Sequence, residues 1–194
     1  FGQDVYGRSM RRMLEAAWFP RIERLVLGGN PSAERTLFLL SQAQEGGELA
    51  MRDLDLGGMH SDARIFTALM NSERLRSLER FDFSYSTIEN RLLGDFVDSG
   101  MRLKELGLAS CQVREGLLIA LALAPQTRGL RRLDLSWNPL VYLTSLLLDE
   151  DVFPELETLW LSPSNANSAQ RDEITCALKE CGIEVRWQSS GRFS

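Results

Sequence analysis

Apolar and polar residues alternate in six short stretches of the chain, each followed by residues with helical spacing. The stretches are IERLVLGGN from Ile22, MRDLDLGGM from Met51, LERFDFSYS from Leu78, LKELGLASC from Leu103, LRRLDLSWN from Leu130 and LETLWLSPS from Leu156. Successive starts lie 29, 27, 25, 27 and 26 residues apart, and each unit has apolar residues at its first, fourth and sixth positions. The central triplet, such as Leu133-Asp134-Leu135, predicts a short strand with alternate residues facing a core. A period of this length marks a repeat architecture.

The intervening segments predict helices. After Asn30-Pro31 comes SAERTLFLLSQAQ, where proline in the first helical turn costs no hydrogen bond. Ser61 can cap DARIFTALM, and VREGLLIALALAP and PLVYLTSLLL follow the fourth and fifth strands. A helix that buries Leu37 and Leu40, or Ile65 and Leu69, against its own strand cannot complete a core alone. Stacked units share one, which gives a parallel sheet with helices outside. In DVYGRSMRRMLEAAW, residues Val5, Tyr6, Met10, Met13, Leu14, Ala17 and Trp18 fall near one helical face. Residues 1–21 are therefore expected to form an N-terminal helix, either a cap or half of a preceding repeat. Six units fill 22–164. The segment QRDEITCALKECGIEVRW, ending in Ile183, Val185 and Trp187, predicts a closing helix and strand within 165–187, and 188–194 form a tail.

This pattern resembles the leucine-rich repeat, in its ribonuclease-inhibitor-like class of one strand and one helix per repeat, over about residues 22–187. The resemblance implies an α/β solenoid, a short curved horseshoe with the parallel sheet on the concave side and helices on the convex side. It also implies binding through the sheet face that points away from the core. The family's ninth position, Asn or Cys, is here Asn30, Met59, Ser86, Cys111, Asn138 and Ser164. Only three of the six can form the usual buried polar ladder, and Cys111 is expected to be a buried structural thiol.

In this register the second, third, fifth, seventh and eighth positions are exposed. The third position reads Arg24, Asp53, Arg80, Glu105, Arg132, Thr158, and the second reads Glu23, Arg52, Glu79, Lys104, Arg131, Glu157. Neighbouring strands lie about 4.8 Å apart, so these sign-alternating columns neutralise themselves. The fifth position reads Val26, Asp55, Asp82, Gly107, Asp134, Trp160, with no cation, and the eighth adds Tyr85 and Trp137. Adjacent like charges require either a cationic partner or arginines, such as Arg80 and Arg132, reaching across. Small seventh-position residues leave room for a ligand. Asp55, Asp82, Tyr85, Asp134, Trp137 and Trp160 are therefore the expected partner-binding residues, suited to a protein or peptide with basic side chains. The stretch GLLIALALAP is apolar nearly all round, so Leu118, Ile119, Ala122, Tyr142 and Ser145 form a second candidate contact, on the convex side, unless neighbouring helices cover them.

Composition sets further bounds. A net charge of −5 without basic blocks argues against a nucleic-acid surface. No apolar run approaches the roughly 20 residues of a membrane span. Phe1 at the start suggests a piece of a longer chain or a processed form. Three cysteines without C-x-x-C spacing argue against a disulfide framework or structural zinc, and favour a reducing, cytoplasmic setting. His60 is the only histidine, and no hydrolase, zinc-protease or phosphate-loop motif occurs. No metal, cofactor or catalytic residue is expected. The expected function is a non-catalytic protein- or peptide-binding module within a larger protein. The alternatives are a structural subunit packed through its apolar helices, or a regulator of an enzyme such as a small GTPase.

Overall fold

Each of the six alternating stretches carries a strand, which starts one residue before its triplet: β1 (Arg24–Val26), β2 (Asp53–Asp55), β3 (Arg80–Asp82), β4 (Glu105–Gly107), β5 (Arg132–Asp134) and β6 (Thr158–Leu161). A seventh, β7 (Glu184–Trp187), closes the series where the alternation of Ile183, Val185 and Trp187 predicts it. The computed structural model describes residues 12–13, 15–29, 36–37, 49–59, 67–68, 70–86, 101–139 and 152–188. The strands form one parallel sheet in chain order. Arg24, Asp53, Arg80, Glu105, Arg132, Thr158 and Glu184 stand in a single registered row, so the repeat register of the sequence is the register of the sheet.

The same backbone bonds recur from unit to unit. The second-position N–H donates to the second-position carbonyl of the preceding unit, at 2.8 Å from Arg52 to Glu23 and from Lys104 to Glu79. Past the strands, the eighth-position N–H donates to the seventh-position carbonyl of the next unit, as in Gly58 to Ser84 and Ser110 to Ser136. A one-residue slip would carry every core side chain to the other face, so the apolar pattern and the hydrogen-bond ladder enforce one register.

Leu54, Phe81, Leu106, Leu133 and Leu159 at the fourth position, and Leu56, Phe83, Leu108, Leu135 and Leu161 at the sixth, lie in one buried cluster. Leu117, Leu118, Leu121 and Ala122 of helix α1 (Glu115–Leu123) join it, as does Leu178 of helix α2 (Ser168–Glu180). Helices thus cover the face to which positions four and six point, and the face of positions three and five stays open. Thr36 and Leu37, and Thr67, Ala68 and Met70, are also helical. The remainder of the helices expected after β1 and β2, the whole of that expected after β5, and Asn30 and His60 lie outside the described residues.

Helix α2 has defined ends. Asn167 and Gln170 form a capping box, with both bonds at 3.0 Å. Gly182, at φ 80°, ends the helix while Ile183 N–H returns to the Leu178 carbonyl at 2.9 Å. Trp187 Nε1 of β7 then donates to Thr175 Oγ1 at 3.0 Å, tying the closing strand to the helix.

Two expectations need correction. The N-terminal helix does not run to Arg21: Arg12 and Met13 are helical, but residues 15–18 form a turn and Phe19–Arg21 a 3-10 turn. Pro20 has no N–H to continue an α-helix, and Phe19, Arg21 and Ile22 bond back only three residues. Trp18 consequently points outward, and Phe19 takes the buried place at this end of the core. The ninth-position ladder also admits serine. Ser86 Oγ accepts from Met59 N–H at 3.1 Å, Cys111 Sγ donates to the Phe83 carbonyl at 3.1 Å, and Asn138 Oδ1 accepts from Cys111 and Val113 N–H groups. A hydroxyl reaches the neighbouring turn as well as a thiol does.

Candidate functional site

The open face carries a lattice of ion pairs along its third and second positions. Asp53 Oδ2 accepts from Arg24 Nε at 3.2 Å and Arg80 Nη2 at 3.1 Å, and Glu105 holds Arg132 at 2.9 Å. Glu79 is shared by Lys104 at 3.0 Å and Arg52 at 3.4 Å, and the Lys104 hydrogen bond holds its carboxyl below the usual range. Exposed pairs of this kind contribute about 0–1 kcal/mol each. They do order the face. The Asp53 and Glu105 side chains are 12% and 24% exposed against 49–66% for Arg24, Arg80 and Arg132, so carboxylates lie low and guanidinium groups stand above them.

The fifth-position carboxylates are held differently. Asp55, Asp82 and Asp134 each accept, through Oδ1, the N–H two residues ahead: Gly57 at 2.8 Å, Ser84 at 2.9 Å and Ser136 at 2.9 Å. This turn explains why aspartate recurs at the ends of these strands. Arg80 and Arg132 pair with Asp53 and Glu105, the acids of the third position.

Exposure along this column corrects the expected site. Asp55 and Asp82 are half-buried and open to the face, whereas Asp134 is 1% exposed. Burial pushes the Asp134 carboxyl above its usual value, against the pull of the Ser136 hydroxyl and N–H that bond it, and the nearby charge of Asp82 adds to the rise. Trp160 is 8% exposed, with the Arg186 guanidinium over its ring, 5.4 Å from the centroid. Neither Asp134 nor Trp160 is freely presented. Nor does the seventh position leave room. Ser84, Ala109, Ser136 and Ser162 are buried, and a Cβ at Gly28 would sit 2.8 Å from the Gly57 carbonyl oxygen.

A groove of about 520 Å³ runs across the open face, lined from all seven strands. Third-position residues from Arg24 to Glu184 form its floor, joined by Asp55, Asp82, Gly107, Trp160 and Arg186 of the fifth. Glu184 and Arg186 extend the two columns onto β7. The alternation of Ile183, Val185 and Trp187 toward the core was the signal that could have placed them there. Tyr85 and Trp137 lie past the strand ends, outside the groove lining, with Trp137 41% exposed and Tyr85 half-buried. Both have left-handed backbones, φ 62° and 60°, as do Gly29, Gly58 and Ser110 at the same position.

On α1, Leu118 and Ala122 face the core, so they are not the outward contact expected of them. Ile119 and Leu123, one turn apart, are the exposed pair at 46% and 74%. Tyr142 and Ser145 lie outside the described residues.

Among the described residues no group of His, Cys, Asp and Glu could hold a metal ion, and no helix is long and apolar enough to cross a membrane. Cys111 is buried, its thiol pushed up to about 12 by desolvation, and it serves the turn ladder as a donor. The open face therefore presents charge, one buried aromatic under a cation and two rim aromatics. That equipment suits recognition of another molecule. No family model and no curated protein matches the chain.

Proposed function

We propose that the protein is a leucine-rich repeat module that binds a protein or peptide through its open sheet face, without catalysis. One observation supports this above all: a continuous groove lined by all seven strands at a constant register. Such a row displays side chains at fixed spacing to an extended partner, at no cost in ordering loops. Asp55 and Asp82 receive basic side chains, Trp137 and Tyr85 supply rim contacts, and Asp134 and Trp160 act through the shape of the face. Three free cysteines, two of them exposed, support a reducing, cytoplasmic setting.

Peptides selected from a random display library against the folded protein test the reading. Those that bind the open face lose about tenfold or more in affinity against Asp82→Asn and Trp137→Ala. Unchanged affinity for both variants across all selected peptides overturns it.

A second reading, a subunit packed through its helices, draws on exposed Ile119 and Leu123. It requires self-association or partner capture that Leu123→Gln abolishes, and sedimentation of both forms decides it.

A further inference from the structure

On a chain of net charge −5, one recess gathers cations. It lies at the entry ends of β4, β5 and β6, where the chain returns from the helical layer to the sheet. Its volume is about 590 Å³. Arg102 and Lys104 border it just before β4, Arg128 and Arg131 just before β5, and Glu155 is the single acid in its lining. Exposed Pro125 gives it an apolar wall, and nothing lies within 4 Å of where a Gly129 Cβ would stand.

The four cations are not equally engaged. Lys104 is held by Glu79 at 3.0 Å. Arg131 reaches Glu157 at 3.6 Å and Glu155 at 3.9 Å, longer than a strong charge-assisted bond of about 2.7–2.9 Å. Arg102 and Arg128 are exposed and, among the described residues, pair with no carboxylate. On the open sheet face, by contrast, Arg24, Arg80, Arg132 and Arg186 all sit on acids. Arg102 and Arg128 thus bring two guanidinium groups, beside Lys104 and Arg131, to a recess large enough for several residues of a peptide.

We propose that this recess is an anion site that takes an acidic peptide segment, with carboxylates on Arg102 and Arg128 and a small apolar side chain against Pro125. Planar guanidinium forks match carboxylates in pairs. Pro125 and the volume favour a peptide over a lone inorganic anion. A nucleic-acid backbone is a poorer fit, because the surrounding chain is acidic and the cations do not extend along a track. Lys104 and Arg131 also belong to the second-position column, so the recess opens onto the rim of the sheet. The site does not depend on what binds the groove.

The probe is a fluorescein-labelled glutamate-rich peptide, compared with the same peptide carrying Gln for every Glu. Anisotropy is expected to show at least about tenfold tighter binding of the Glu peptide, weakening as salt shortens the screening length. Arg102→Gln with Arg128→Gln lowers that affinity by about tenfold, while Arg21→Gln, at an exposed arginine outside the recess, leaves it unchanged. Lys104→Gln, a separate variant, lowers it as well. Equal binding of the two peptides, or full binding by the Arg102→Gln, Arg128→Gln protein, overturns the proposal. So does tighter binding of a labelled single-stranded oligonucleotide than of the peptide.

Discussion

The guanidinium of Arg186 lies 5.4 Å from the centre of the Trp160 ring, its registered neighbour on the adjacent strand. Glu184 holds that guanidinium in place through two bonds, at 2.9 and 3.1 Å. The cation faces the negative face of the indole and also hides it from solvent. Arg186→Ala should uncover Trp160 without disturbing the strand. Acrylamide quenching, read as the difference between the protein and its Trp160→Phe variant, should rise in the Arg186→Ala background. Unchanged quenching would mean that the groove, not the arginine, buries the ring.

Asn138 is the most heavily bonded side chain of the turns. Its Oδ1 accepts from Cys111 and Val113 N–H groups at 3.0 and 2.9 Å, and its Nδ2 donates to the Leu108 and Leu135 carbonyls at 2.8 and 3.0 Å. Asn138→Ala leaves two buried N–H groups unpaired and should cost about 2–5 kcal/mol. Asn167→Ala, which removes an exposed helix cap, should cost only about 1 kcal/mol. Urea unfolding of the two variants checks the order, and equal losses would refute the ladder as a main support.

Trp137 occupies a left-handed position at φ 60°, where the first two units place Gly29 and Gly58. For a residue with a Cβ that conformation costs about 1–2 kcal/mol, partly offset in a glycine variant by about 0.5–1 kcal/mol of extra chain entropy. Trp137 packs little, at 41% exposed. Trp137→Gly should therefore be as stable as the native protein or gain up to about 1 kcal/mol, while Trp137→Val falls about 1–2 kcal/mol below the glycine form. A glycine variant that loses more than about 1 kcal/mol would show that indole packing outweighs the strain.

These residues also show where the sequence is readable. The strands and their register follow from apolar spacing within nine residues, a local constraint repeated six times, and so does the closing strand at Val185 and Trp187. The rotation of α1 does not follow. A helix apolar on nearly every face has no stripe to orient it, so Leu118 and Ala122 could not be told from Ile119 and Leu123. Trp160 lies under Arg186, 26 residues later in the chain, a contact that no nine-residue window holds. Helical spacing runs on to Trp18, but Pro20 has no N–H to continue a helix and the chain turns there, so Trp18 faces outward.

Asp134 makes acid dependence a test of the turn. Burial raises its carboxyl above 3.8, with Asp82 adding repulsion and Ser136 opposing through two hydrogen bonds. An acid whose folded pKa exceeds its unfolded one binds its proton more tightly in the folded state. Its contribution favours folding fully below 3.8 and is lost as pH climbs from there through the raised value, after which it stays constant. Glu79, lowered by Lys104, acts in the opposite sense and loses its contribution as pH falls below 4.5. Asp134→Asn keeps an Oδ1 to accept from Ser136 and removes only the first dependence. The stability of the Asn variant relative to native should thus be lowest near pH 3.8 and climb toward neutral pH, as read by urea unfolding at several pH values. A difference that stays level across that range would mean that Asp134 titrates as it does in the unfolded chain, and that burial of its charge is not a cost the fold carries.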